Sequence, residues 1–194
     1  MADEELPLTL GHHGGLRPSG AEHLAQDDEV WPCKTVLIKP ATGESEIFTK
    51  GHRNPQGLTV ATDGTIYSTE HGPNGGDKLN IVNRGTNYGW PYVSLGRACK
   101  SSRKCEPDDY LDNLDLRIHE NLRSHDGYTR PLLSWVPSIG ISNLIEVAAS
   151  QFELCKGDLL GTSLRKNSAY RVRVRVRVRV REGRGMYVER IANA

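Results

Sequence analysis

At 194 residues, with 37% hydrophobic and 6% aromatic residues, 20 Gly and 10 Pro, the chain has the length of one domain and the composition of many short strands joined by tight turns, not of long amphipathic helices. A formal net charge of +1 excludes a global attraction to nucleic acid or to an anionic membrane, so any basic surface must be local. No window approaches the ~20 consecutive apolar residues of a membrane span, and the acidic start MADEELPLTLGHH has neither the basic nor the apolar segment of a secretory signal.

Taken in order, residues 1–30 show little periodicity and carry the cluster Gly11-His12-His13-Gly14-Gly15. Strands are predicted at Thr35 to Lys39 and Ser45 to Thr49, joined by the turn Pro40-Ala41-Thr42-Gly43. A second hairpin is predicted from Leu58 to Ala61 and Thr65 to Thr69, because Asp63-Gly64 between alternating runs is a strong hairpin signal. Lys78 to Asn83 reads as a strand, and Gly85 to Pro91 as a loop carrying Trp90. Residues 98–128 form a polar, irregular excursion with a possible short helix at Asp112 to Glu120. Strand-like segments return at Leu132 to Ile139, Asn143 to Val147, Asp158 to Ser163 and Tyr170 to Arg181. This alternation of strand, turn, strand and polar loop suits propeller blades or a meander, without a strict sequence repeat.

The run Arg171 to Arg181 alternates without a break, arginine on one face and valine on the other. It reads either as a polyanion-binding ribbon or as a solvated outer strand, and the lack of interleaved aromatics favours the second. Cys99 and Cys105 are spaced to close a small disulfide ring or to stay as thiols, while Cys33 and Cys155 are read as a pair or as singles; without a CxxC pair no structural zinc site is expected.

Two polar loops concentrate the candidate chemistry. His52-Arg53-Asn54-Pro55-Gln56 and Glu70-His71-Gly72-Pro73-Asn74 flank the second hairpin, so successive strands can present both at one end of a sheet. A guanidinium beside a carboxamide at Arg53 and Asn54 suits a ligand rich in carboxylate or carbonyl oxygens, or braces the loop on its own carbonyls. The turn at Gly72 and Pro73 offers main-chain carbonyls next to Glu70, Asn74 and Asp77, an oxygen set suited to Ca²⁺ or simply a turn. His12 has the chemistry of a general base, or is an incidental surface histidine.

The segments GHRNPQGL, STEHGPNGGDKLN, GTNYGWP, WVPSIGIS and GDLLGTSLR, in this order, resemble the soluble pyrroloquinoline-quinone (PQQ)-dependent sugar dehydrogenases, the glucose/sorbosone and aldose sugar dehydrogenase family, over roughly residues 9–191. The resemblance implies an all-β, six-bladed β-propeller, of which this chain covers about three to four blades as one partial domain over residues 1–194. It also implies PQQ and Ca²⁺ as cofactors and oxidation of an aldose at C1 to the lactone, with hydride passing to the quinone. By resemblance Arg53 and Asn54 contact cofactor and substrate, with Arg53 among the catalytic residues. The Gly72 and Pro73 carbonyls bind Ca²⁺, Trp135 and Ser138 pack beside the cofactor, Arg165 is a basic residue near it, and His12 is the base. Leu16 stands where the family usually has arginine, and Lys78 where it has an acidic residue serving a structural calcium. The implied location is periplasmic or secreted, and the partners are a sugar, an unspecified electron acceptor and, through open propeller edges, a second copy of the chain. The alternative reading is a weakly active or inactive propeller remnant that binds sugar, metal or protein.

Overall fold

Turn chemistry sets the strand boundaries. The computed structural model describes residues 5–11, 24–73, 75–96, 125–147, 155–165, 167–181 and 185–193. His12, Leu16, the Cys99 and Cys105 pair, the helix expected at 112–120 and most of the 98–128 excursion lie outside these residues. Among the described residues every regular element is a strand, eleven in all: β1 (Leu6–Leu10), β2 (Lys34–Ile38), β3 (Ser45–Thr49), β4 (Pro55–Val60), β5 (Ile66–Glu70), β6 (Asp77–Val82), β7 (Leu133–Trp135), β8 (Ile141–Glu146), β9 (Leu159–Ser163), β10 (Ser168–Arg181) and β11 (Gly185–Asn193).

The strands form three antiparallel meanders, β1-β2-β3, β4-β5-β6-β7 and β8-β9-β10-β11. Both predicted hairpins are present. The Gly43 amide donates to the Lys39 carbonyl (2.8 Å), and the Ala61 amide to Thr65 O (2.8 Å) while Asp63 Oδ1 accepts from the Thr65 amide. Strand β1 and the second half of the last hairpin have no periodicity strong enough to predict them. β4 begins three residues earlier than its apolar pattern, at a register shift between Pro55 and Gly57. β7 stops at Trp135, short of the expected Ile139, because Pro137 has no amide to give a ladder and the following amides are taken by a carboxylate.

The middle sheet is covered on both faces. Toward the third sheet, Ala61, Tyr67 and Leu79 join Leu144, Leu159 and Val172 in one core cluster, with Trp135 and Val174 packed against it. Toward the first sheet, Ile66 and Val82 meet Leu37 and Phe48. Period-two alternation deals the residues of β5 and β6 to these two sides: Tyr67, Thr69, Asp77 and Leu79 to one, Ile66, Glu70, Lys78 and Val82 to the other. β4 carries the close approach, for a Cβ on Gly57 would stand 2.7 Å from the Leu144 amide nitrogen and 2.8 Å from Thr69 Oγ1. In that space Thr69 Oγ1 donates to Ser142 O (2.7 Å).

Burial on both faces forces the charges at the end of the middle sheet to pair internally. Glu70 and Lys78 are cross-strand partners, both fully buried, with Nζ 2.7 Å from Oε1. His52 Nδ1 lies 3.3 Å from Glu70 Oε2, and its Nε2 lies 2.8 Å from Thr49 Oγ1. The imidazole stacks on Tyr88 with centroids 4.5 Å apart. Burial pushes the Glu70 carboxyl up, but Lys78 and His52 together outweigh it and hold the group well below the ordinary carboxylate range.

A depressed native pKa stabilises the fold above the ordinary carboxyl value of 4.5, and this contribution drains away as pH falls below it. Chemical denaturation as a function of pH should therefore show stability falling from pH 4.5 downward, with a shallower slope in the Glu70→Gln/Lys78→Met double variant. Glu70→Gln alone leaves a buried ammonium without its counter-charge and should cost about 3–5 kcal/mol, most of which the double variant recovers.

Candidate active site

Antiparallel meanders send alternate connections to opposite ends. The connections β3–β4, β5–β6, β7–β8 and β9–β10 open at one end, and they carry Arg53 and Asn54, Gly72 and Pro73, Ser138, and Arg165 respectively. The chain leaving β1 reaches the same place, since a Cβ on Gly11 would stand 2.8 Å from Asn54 Oδ1. His12 follows directly but lies outside the described residues.

The first two loops are tied to each other. The His71 amide donates to Asn54 O (3.0 Å), Arg53 Nη1 donates to His71 O (3.2 Å), and the Arg53 amide donates to Glu70 Oε2 (3.2 Å). The Arg53 guanidinium stands 5.4 Å from the centre of the Trp90 ring. Arg53 thus braces the loop and remains half-buried, with a cationic fork at the edge of the site. The Asn54 carboxamide oxygen accepts from Gln56 Nε2 (3.0 Å).

Asp77 ties the metal-type turn to the next loop. Its Oδ1 accepts from the Gly72 amide (3.2 Å), and its Oδ2 accepts from Ser138 Oγ (2.8 Å) and from the amides of Ile139 (3.1 Å), Gly140 (2.7 Å) and Ile141 (3.1 Å). The carboxylate is fully buried and its acceptor sites are all turned onto these loops. Behind it the turn packs tightly: a Cβ on Gly76, at φ +70°, would stand 2.3 Å from the Gly96 nitrogen. The Arg165 amide donates to Ile139 O (3.2 Å), which brings the exposed Arg165 beside the Ser138 loop.

Trp135 stands slightly apart. Its carbonyl accepts from the Gly76 amide (2.9 Å), but its ring meets Tyr170 edge-on at 6.2 Å and packs on the core between sheets. Trp90 is the indole beside Arg53. Cys33 and Cys155 are both free thiols. Cys33 lies beneath the Arg53 loop, where burial pushes its thiol up to about 11.

The side-chain carboxylates that composition offers to a cation, Glu70 and Asp77, are both committed internally. Among the described residues no cluster of three His, Cys, Asp or Glu side chains is placed to hold a metal. A hard cation would rest on the main-chain oxygens of Gly72 and Pro73, and an all-oxygen set of that kind fits Ca²⁺. Arg53 and Arg165 fit the carboxylates of an anionic quinone such as PQQ. Sequence reading missed the roles of Asp77, Glu70, His71 and Trp90. The signal for Asp77 and Lys78 was present, in the two interleaved alternations of DKLNIV.

Asp77→Asn puts an amide where five donors converge. It should strip hydrogen-exchange protection from the Ile139, Gly140 and Ile141 amides, whereas Ser138→Ala should leave them protected and cost only about 1 kcal/mol.

The glucose/sorbosone dehydrogenase family model matches residues 23–192. The chain is 31% identical over 163 residues to an uncharacterized protein of Synechocystis sp., covering 74% of this chain and 36% of that protein. Over 50 residues it is 50% identical to quinoprotein glucose dehydrogenase B of Acinetobacter calcoaceticus, covering 26% of this chain and 10% of that one. A crystal structure of glucose dehydrogenase superposes with a TM-score of 0.65 at 25% identity, covering 97% of this chain and 52% of that structure. The chain thus covers 36% of the Synechocystis protein and 52% of the glucose dehydrogenase structure, and its motifs, its meander sheets and the matched residues agree. This protein belongs to the glucose/sorbosone dehydrogenase family, whose members include PQQ-linked sugar dehydrogenases of the β-propeller fold.

Proposed function

We propose that this chain, as one partial propeller domain over residues 1–194 with 98–128 as an excursion, supplies one wall of a PQQ- and Ca²⁺-dependent dehydrogenase site that oxidises the C1 hydroxyl of an aldose to the lactone. The observation that carries this reading is the convergence of Arg53, Asn54, Gly72, Pro73, Ser138 and Arg165 at one end of the sheets, where His71 ties the first loop to the second and Asp77 ties the second to the Ser138 loop.

When bound, the quinone supplies a hydride acceptor whose carbonyls the calcium ion polarises. The chain's own residues then have distinct tasks. Gly72 and Pro73 hold the cation through their carbonyl oxygens. Arg53, kept in place by His71 O and Trp90, holds the negative charge that develops during reaction, and Arg165 holds a carboxylate. Asn54 orients substrate or cofactor, and Ser138 and Trp135 form the wall beside the latter. His12 removes the proton from the sugar hydroxyl. The contact of Gly11 with Asn54 supports this role, because it brings the preceding residue to the same end of the sheets. A periplasmic or secreted location fits this reading. Association of two copies is supported by β1, which among the described residues pairs on one side only and exposes Leu6 and Leu8.

Purified protein given PQQ and Ca²⁺ should reduce a redox dye in an aldose-dependent manner. His12→Ala should lower turnover by about 10²–10⁴-fold with quinone binding retained, and Arg53→Ala by about 10²-fold or more. A flat trace, with or without quinone binding, would replace the enzyme reading with that of a remnant that binds sugar, metal or protein.

A further inference from the structure

The fourteen residues of β10 have different neighbours along their length. Ser168–Val172 pair with β9, and Arg173–Arg181 pair with β11, so the sheet narrows beyond Val172 to a two-stranded ribbon. Val172 is buried and Val174 packs on the core, so at this end of the strand the valine positions lie on the core side, and period-two alternation puts the arginine positions on the opposite face of the strand.

Asp158 takes Arg171 (Nε to Oδ2 3.4 Å) and takes Arg173 through two hydrogen bonds, Nε to Oδ1 at 2.9 Å and Nη2 to Oδ2 at 3.0 Å. Beyond it the register sets Ile191, Glu189, Tyr187 and Gly185 opposite Arg175, Arg177, Arg179 and Arg181. The four arginine positions thus meet a single carboxylate-bearing residue, Glu189, in register. Alternate strand positions are about 6.6–6.8 Å apart, so these four form a single row about 20 Å long. The row is concentrated on a chain whose net charge is only +1. Like charges in such a row repel, and a bound polyanion relieves that repulsion.

We propose that this arginine row binds an extended acidic polysaccharide through its carboxylate or sulfate groups. Guanidinium forks grip such oxyanions two oxygens at a time. A row one strand wide matches one polymer chain, whereas duplex nucleic acid presents two phosphate strands across a groove about 12 Å wide. Single-stranded nucleic acid binding uses aromatic platforms at successive bases, and between residues 173 and 193 Tyr187 is the lone aromatic residue.

The whole chain is titrated with heparin (sulfated) and polygalacturonate (carboxylated) over a series of salt concentrations. Binding to either polymer, with log affinity falling linearly with log salt, is the expected result, and the preferred polymer identifies the oxyanion. The R175T/R177T/R179T/R181T variant should bind at least about ten-fold more weakly, with a salt slope reduced by about three. The control R130T/K156T, which removes two exposed cations elsewhere, should bind as the parent does. Bound polymer should also protect the 173–181 segment of the unsubstituted chain from arginine-directed chemical modification, a readout that needs no variant to fold. Absence of binding to both polymers, unchanged binding by the quadruple variant, absence of protection, or tighter binding of duplex or single-stranded DNA would each overturn the proposal.

Discussion

A single constraint shapes the centre of this molecule: the sheet β4–β7 is buried on both faces, so every charge at its end must find a partner inside the protein. Two neighbours in sequence meet that constraint in opposite directions. Lys78 turns toward the first sheet and pairs with Glu70, and Asp77 turns toward the third sheet and gathers the 138–141 amides. An unpaired charge at either position would carry a desolvation cost of several kcal/mol. The pairing is therefore a condition of folding as well as a way of fixing loops.

The same pairs position the candidate chemistry. Glu70 receives the Arg53 amide and holds His52, so the first polar loop rests on a buried ion pair. Asp77 receives Gly72 and the Ser138 loop on separate oxygens of one carboxylate, so two loops from different sheets share one anchor. Such sharing makes the site rigid, since neither loop can move without exposing an unsatisfied buried group.

Lys78 places an ammonium directly on Glu70. The local need for positive charge beside a buried carboxylate is met covalently, by a residue of the chain itself. The free energy of that arrangement depends on geometry set by the Glu70 and Lys78 register, not on a metal concentration.

Much of the fold was legible in the residues: the Asp63-Gly64 and Thr42-Gly43 turns, the alternation in β5, β6 and β10, and the placement of two polar loops at the ends of one hairpin all follow from local chemistry. β1 and β11 were not legible, because strands such as LPLTL and GMYVERIAN gain their identity from a partner's ladder more than from their own pattern. The motifs determined the family, the all-β class and the candidate residues. Only the tertiary structure decided which side each alternating residue faces, that Asp77 and Glu70 are internal anchors instead of cation ligands, and that Trp90, not Trp135, lies against Arg53. Those outcomes depend on which sheets cover the two faces of β4–β7, and contacts between distant segments cannot be read from spacing along a single chain.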